Sequence, residues 1–171
     1  ACCFAIASSE RNARAAKITG TASLKDILLM EDCGASHIAD FSYLGYPSTY
    51  MLTKERLTDI FNTIDSKYGN NPDNYFVIEL SDGVLQRETK ILLNDETFRK
   101  RIHKIIFCAQ DTFGVIGGLK ILQEKFNITP DAISGVCSSS PLALRDLEEF
   151  TDIPVFNSVE IDYKKIFSLI A

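Results

Sequence analysis

The chain has 171 residues, 46% apolar, 24% charged and 10% aromatic, a composition that supports one sizeable core without disulfides or a structural metal. Eighteen Lys and Arg against 23 Asp and Glu leave a net charge of -5, and the basic residues are scattered, which argues against a nucleic-acid surface. No apolar run approaches the roughly 20 residues of a bilayer span and no basic, apolar leader opens the chain, so a soluble, cytoplasmic protein without a membrane partner is expected.

The first residues, Ala1 to Ala7, read as the middle of a small-residue helix whose beginning lies elsewhere. From residue 14 onward short apolar runs alternate with helical patterns. Ala15 to Ile18 is a weak strand candidate. Ser23 to Asp32 is expected to be a helix capped by Ser23, with Leu24, Ile27 and Leu28 on its apolar face. His37 to Phe41 is a second weak strand. Thr53 can cap a helix in which Leu57, Ile60, Phe61 and Ile64 recur at helical spacing up to Tyr68 and Gly69, and Asn70-Asn71-Pro72 marks the turn after it. Tyr75 to Leu80 is the clearest strand. Further helices are expected over Glu96 to Ile102, Phe113 to Phe126, Pro141 to Phe150 and Val159 to Leu169, and further strands over Lys104 to Ala109, Ala132 to Val136 and Ile153 to Phe156.

The strands are apolar on consecutive positions, as in a parallel sheet covered on both faces. The alternation predicts a single α/β domain over residues 1–171: an open, doubly wound, mostly parallel sheet with helices on both faces. Ligands of such sheets bind beyond the C-terminal ends of the strands. The five cysteines form no C-x-x-C pair, and Cys33 and Cys108, in apolar contexts, read as buried thiols. His37 and His103 read as ordinary strand-flanking residues, and no nucleophile-elbow motif supports a hydrolase triad.

Three strand ends carry chemistry. Lys17-Ile18-Thr19-Gly20-Thr21 sets a lysine and two hydroxyls around a glycine, a combination that serves either an anion site or a plain strand-to-helix turn. Glu79-Leu80-Ser81-Asp82-Gly83 ends an apolar strand in a carboxylate, where a magnesium-binding residue sits in phosphate-handling α/β proteins; the alternative is a solvated acidic loop. Gln110-Asp111-Thr112-Phe113-Gly114 is foremost a helix cap. Asp26, one turn into its helix, is near enough to the Lys17 strand end to share a metal with Glu79. Arg87, in Gln86-Arg87-Glu88-Thr89, could hold an anionic substrate or simply start a helix. Tyr46-Pro47-Ser48-Thr49-Tyr50 is either a substrate lid or an ordinary turn.

In this order, Ala16-Lys17-Ile18-Thr19-Gly20-Thr21, Lys25-Asp26-Ile27-Leu28, Val77-Ile78-Glu79-Leu80-Ser81-Asp82-Gly83 and Phe113-Gly114-Val115-Ile116 resemble the signposts of the dethiobiotin synthetase-like P-loop NTPases. The closing Ile153-Pro154-Val155 resembles the strand before that family's base-binding loop. A closer resemblance is to poorly characterised relatives with a K-(I/V/L)-T-G-T segment, a D-A-G-A-like turn (here Asp32-Cys33-Gly34-Ala35) and a D-G-x-x-Q-R-E-T stretch (here Asp82 to Thr89). The resemblance implies ATP and Mg2+ as cofactors, Asp26 and Glu79 as magnesium ligands, and Lys17 and Glu79 as the catalytic pair. It places Thr19, Gly20, Thr21 and Gly83 around the nucleotide, and Arg87, Ser48 and Thr49 toward a small-molecule substrate. It also suggests a homodimer. The chain departs from the family in having no G-x-x-x-x-G-K-[ST] loop, in Ser81-Asp82-Gly83 where a Gly-rich turn is usual, and in Cys137 or Ser138 where an Asn often meets the base.

The expectation is therefore an ATP- and magnesium-dependent enzyme acting on a small carboxylate or amine, represented here by the portion after the P-loop. The alternatives are a non-catalytic nucleotide- or metabolite-binding regulatory or assembly domain, and a coenzyme A-dependent acyltransferase on a related scaffold.

Overall fold

A computed structural model describes all residues, 1–171. The chain divides into two compact units, residues 2–101 and residues 102–171, and both are α/β with parallel strands. The first unit runs α1 (Cys2–Ser8), β1 (Asn12–Thr19), α2 (Leu24–Asp32), β2 (Ala35–Asp40), α3 (Lys54–Ile64), β3 (Asn74–Leu80), α4 (Arg87–Leu93) and α5 (Glu96–Lys100). Its strands form a parallel sheet of order β2-β1-β3.

The weak candidate at Ala15 to Ile18 is the centre of this sheet. β1 spans eight residues, and Ala13, Ala15, Ala16 and Ile18 are at most 1% exposed. The small alanines leave room for helices to pack closely over the strand. β3, the clearest strand in the sequence, contains no fully buried residue and lies at one edge of this sheet. On α2 only Ile27 is buried; Leu24 and Leu28, expected on the apolar face, are exposed. Ser23 precedes α2 without a side-chain cap. Thr53 does cap α3, accepting from the Arg56 amide at 3.4 Å, and Leu57, Ile60, Phe61 and Ile64 all face the core. A wide helical turn, Asp65–Gly69, continues α3. Phe61 meets Phe98 of α5 edge to face, ring centroids 4.6 Å apart, and both rings are buried.

The second unit runs β4 (Ile106–Cys108), α6 (Thr112–Ile121), β5 (Ala132–Ser134), α7 (Pro141–Phe150) and α8 (Tyr163–Ile170). β4 and β5 pair in parallel. Val115, Ile133, Cys137, Leu147 and Val155 form the core between them and their helices. Ile153 to Phe156 is a correction to the sequence reading: it makes a single parallel bridge, Val155 to Ile133, and no strand. The Ile133 amide donates to Pro154 O at 2.8 Å and the Phe156 amide to Ile133 O at 3.1 Å, while Pro154 itself has no amide to extend the ladder. Cys108 is exposed and Cys33 half-buried, so neither is the buried thiol expected from its neighbours; Cys3 and Cys137 are the buried ones. No helix is long and apolar enough to cross a membrane.

Candidate functional site

Parallel pairing brings the C-terminal ends of β1, β2 and β3 to one edge of the first unit. Lys17 lies in register with Asp40 on β2 and with Glu79 on β3. An acidic residue therefore flanks the central lysine on each side. The lysine itself is buried, its side chain only 5% exposed. Removing an ammonium from water costs several kcal/mol, so such a group needs strong partners. Lys17 has two: its Nζ donates to Thr21 O at 2.9 Å and to the Asp26 carboxylate. Asp26 comes from the first turn of α2. The hydrogen bond from Lys17 holds its carboxyl below the usual carboxylate range, with the lysine's charge adding to the effect.

The chain turns sharply after Lys17. Gly20 has φ of +114°, and a Cβ there would stand 3.0 Å from the Ser81 Cβ and 3.2 Å from the Lys17 Cε. Only glycine meets both the conformation and the space. Thr19 is wholly buried, and its hydroxyl donates to Ser81 O at 2.7 Å, tying the end of β1 to the loop after β3. The Ser81 hydroxyl in turn donates to Glu79. The Ser81–Asp82 peptide is cis. Gly83, also at positive φ, faces open space.

Ser48 and Thr49 lie against this turn. Thr21 and Ser48 form an antiparallel bridge. The Gly20 amide donates to Thr49 Oγ1 at 2.9 Å, the Thr49 amide donates back to Gly20 O at 2.9 Å, and Ser48 Oγ donates to Gly20 O at 3.2 Å. Thr49 is 1% exposed, so its hydroxyl serves the Gly20 turn in this conformation.

Arg87 is engaged as well. Its Nη1 donates to Leu52 O at 2.7 Å and to Glu88 Oε1 at 3.1 Å. Glu88, which the sequence reading left without a role, is buried and accepts the Met51 amide at 2.9 Å. Burial pushes its carboxyl up, but the bonds from its own amide, from Met51 and from Arg87 outweigh this and leave it below the ordinary range. Thr89 Oγ1 reaches Ser81 O at 3.3 Å.

The structure thus links Lys17, Thr19, Gly20, Thr21, Asp26, Ser48 and Thr49 into one hydrogen-bonded edge that also holds Glu79 through Ser81. Ser81, Glu88 and Thr89, named in the sequence only as members of the Glu79 strand end and the Gln86 to Thr89 run, belong to the same edge, and so does Asp40, which was missed. Asp40 carried the signal that singled out Glu79, a carboxylate closing an apolar run. It is 1% exposed and accepts the Ser42 amide at 2.8 Å.

A magnesium ion bound with a nucleotide needs only one or two carboxylates, with phosphates and waters completing its shell. Asp26 and Glu79 have that chemistry, provided that Lys17 passes from Asp26 to a phosphate. No group of three or more His, Cys, Asp or Glu gathers closely enough to hold a metal on its own.

At the strand ends of the second unit, Asp111 caps α6, accepting the Gly114 amide at 2.7 Å. Cys137 Sγ donates to Ser134 O at 3.2 Å and Ser138 Oγ to Gly135 O at 2.8 Å, and both residues are buried. No protein-family model matches this sequence, and no curated protein matches it.

Proposed function

We propose that this chain is part of an ATP- and magnesium-dependent enzyme of the dethiobiotin synthetase-like P-loop class, acting on a small carboxylate- or amine-bearing substrate. The observation that supports the reading is the buried Lys17, held between Asp26 and the Thr21 carbonyl, in register with Glu79 at the C-terminal edge of a parallel sheet. A lysine there can trade its carboxylate partner for a phosphate, freeing Asp26 for the metal that accompanies that phosphate. Gly20 keeps the backbone low enough for a ligand to approach Lys17.

The test is calorimetric titration of the intact protein with ATP and magnesium. Micromolar, magnesium-dependent binding is expected. Glu79→Gln should abolish it while leaving the circular-dichroism spectrum unchanged, and unchanged binding in that variant overturns the metal assignment.

A second reading rests on the same edge. Lys17, Thr19, Thr49, Arg87 and Glu88 all have internal partners, which also suits a non-catalytic nucleotide- or metabolite-binding regulatory or assembly domain. Binding without turnover in a screen of small acids and amines supports that reading. Binding of coenzyme A in place of ATP would support the acyltransferase on a related scaffold.

A further inference from the structure

We infer that Arg87 and Glu88 are positioning residues: they clasp residues 49–52 and, through Thr49, set the Gly20 turn that borders Lys17. The inference rests on the proposed function for its consequence to a ligand, but its structural content stands on the contacts alone.

Three observations carry it. The first is the company Glu88 keeps. A carboxylate only 6% exposed is costly unless its oxygens are satisfied, and the partners of Glu88 Oε1 are the backbone amide of Met51 and the guanidinium of Arg87. The second is the backbone it holds. Met51 is a non-glycine residue at φ of +60°, a conformation that L side chains seldom adopt without an external tie. The carboxylate of Glu88 supplies that tie on the Met51 amide, and Arg87 holds the next residue by the Leu52 carbonyl. The segment is therefore held at the peptide before Met51 and at the one after Leu52, although the Met51 side chain is exposed.

The third observation is where the held segment leads. Two residues before Met51, Thr49 exchanges hydrogen bonds with both the amide and the carbonyl of Gly20. Gly20 lies close enough to Lys17 that even a Cβ would press on the lysine stem. The next residue of α4 acts on the other side of the site, since Thr89 and Thr19 share the carbonyl of Ser81, whose hydroxyl meets Glu79. The start of α4 thus touches the segment before α3 and the loop after β3, and meets the turn after β1 through Thr49. Arg87, expected from the sequence to meet substrate, works here through the backbone of Leu52.

Amide hydrogen exchange on the full chain, read residue by residue, tests this. Glu88→Ala should accelerate exchange of the Met51 amide by roughly tenfold or more, and that of the distant Gly20 amide in the same direction. Glu88→Gln, whose amide oxygen can still accept from Met51, should restore most of the protection. Acceleration at Met51 alone, with Gly20 unchanged, overturns the positioning role, because the clasp would then stop at the segment it touches. No acceleration at either amide overturns the clasp itself. If Glu88→Ala does not fold, Arg87→Gln, at a half-exposed guanidinium, carries the same pair of readouts through Leu52. Calorimetry with magnesium and ATP then separates the two proposals. A wild-type chain that does not bind them defeats the proposed function and leaves the exchange result standing, whereas a binding wild type should lose roughly tenfold in affinity in Glu88→Ala and recover it in Glu88→Gln.

Discussion

The two parallel sheets end in opposite ways. Beyond β1 and β3 the chain is polar and tied by side chains: a buried lysine with a carboxylate partner, threonines that bond across loops, and a clasped segment. Beyond β4 and β5 short side chains also tie the turns, Ser134 Oγ to Phe156 O and Ser138 Oγ to Gly135 O, but the tightest contacts are backbone on backbone. The Ala109 amide donates to Ser134 O, the Cys137 amide donates back to Ala109 O, and Gly135 lies directly against Ala109. Apolar side chains there, Phe113, Val136 and Leu142, stand in solvent. A side-chain network can be altered one group at a time and still hold; a backbone-on-backbone contact has no give. The first edge is therefore the more tolerant of a single side-chain change, the second the more sensitive to an added Cβ.

The sharpest way to break that contrast is Gly135→Ala. Its φ is +107°, and a Cβ would fall 2.5 Å from the Ala109 carbonyl oxygen, which cannot move without disturbing β4. A loss of about 3 kcal/mol or more is expected, and urea unfolding followed by probes in each unit should show it in residues 102–171.

A smaller effect is expected from Asp26→Asn, about 1 to 2 kcal/mol at neutral pH, because the Asn oxygen still accepts from Lys17 and Asp26 is about a third exposed, at 35%. The pH dependence has a definite sign. The folded-state pKa of Asp26 lies below its ordinary value of 3.8, so its contribution is complete above that value and disappears as the pH falls below it through the folded-state pKa. Wild type and variant should therefore converge in stability on acidification below about pH 4. Curves that stay parallel down to pH 2 would mean that the ion pair gives no net stability.

The smallest effect is expected at Phe113→Ser. The side chain is 85% exposed at the start of α6, so thermal denaturation should shift by less than about 0.5 kcal/mol. A larger loss would mean that this apolar edge is covered in the working protein.

The class of architecture was legible because alternation of apolar runs and helical patterns survives any detail of pairing. Pro141 to Phe150 is the case where every local signal agrees: Ser140 caps, Pro141 opens, and the apolar residues recur at helical spacing. Strand rank was not legible. The central strand carries Arg14 and Lys17 among alanines, a poor β pattern, and its importance comes from having a partner on each side, which no local window contains. Tyr75 to Leu80 has the better pattern and the lesser burial. At the site, Lys17, Asp26 and Glu79 could be named because a charged residue beside an apolar run is conspicuous. Glu88 could not be given a role, since its burial depends on a backbone amide 37 positions earlier.

The order β2-β1-β3 has a further consequence during synthesis. β1 is made first, yet it must remain unpaired on one flank until residue 35 arrives and on the other until residue 74. At about 5 to 20 residues per second the ribosome leaves the most buried strand of this unit waiting for several seconds. A change that slows translation between residues 40 and 74 should therefore lower the yield of folded protein without altering a single contact in it.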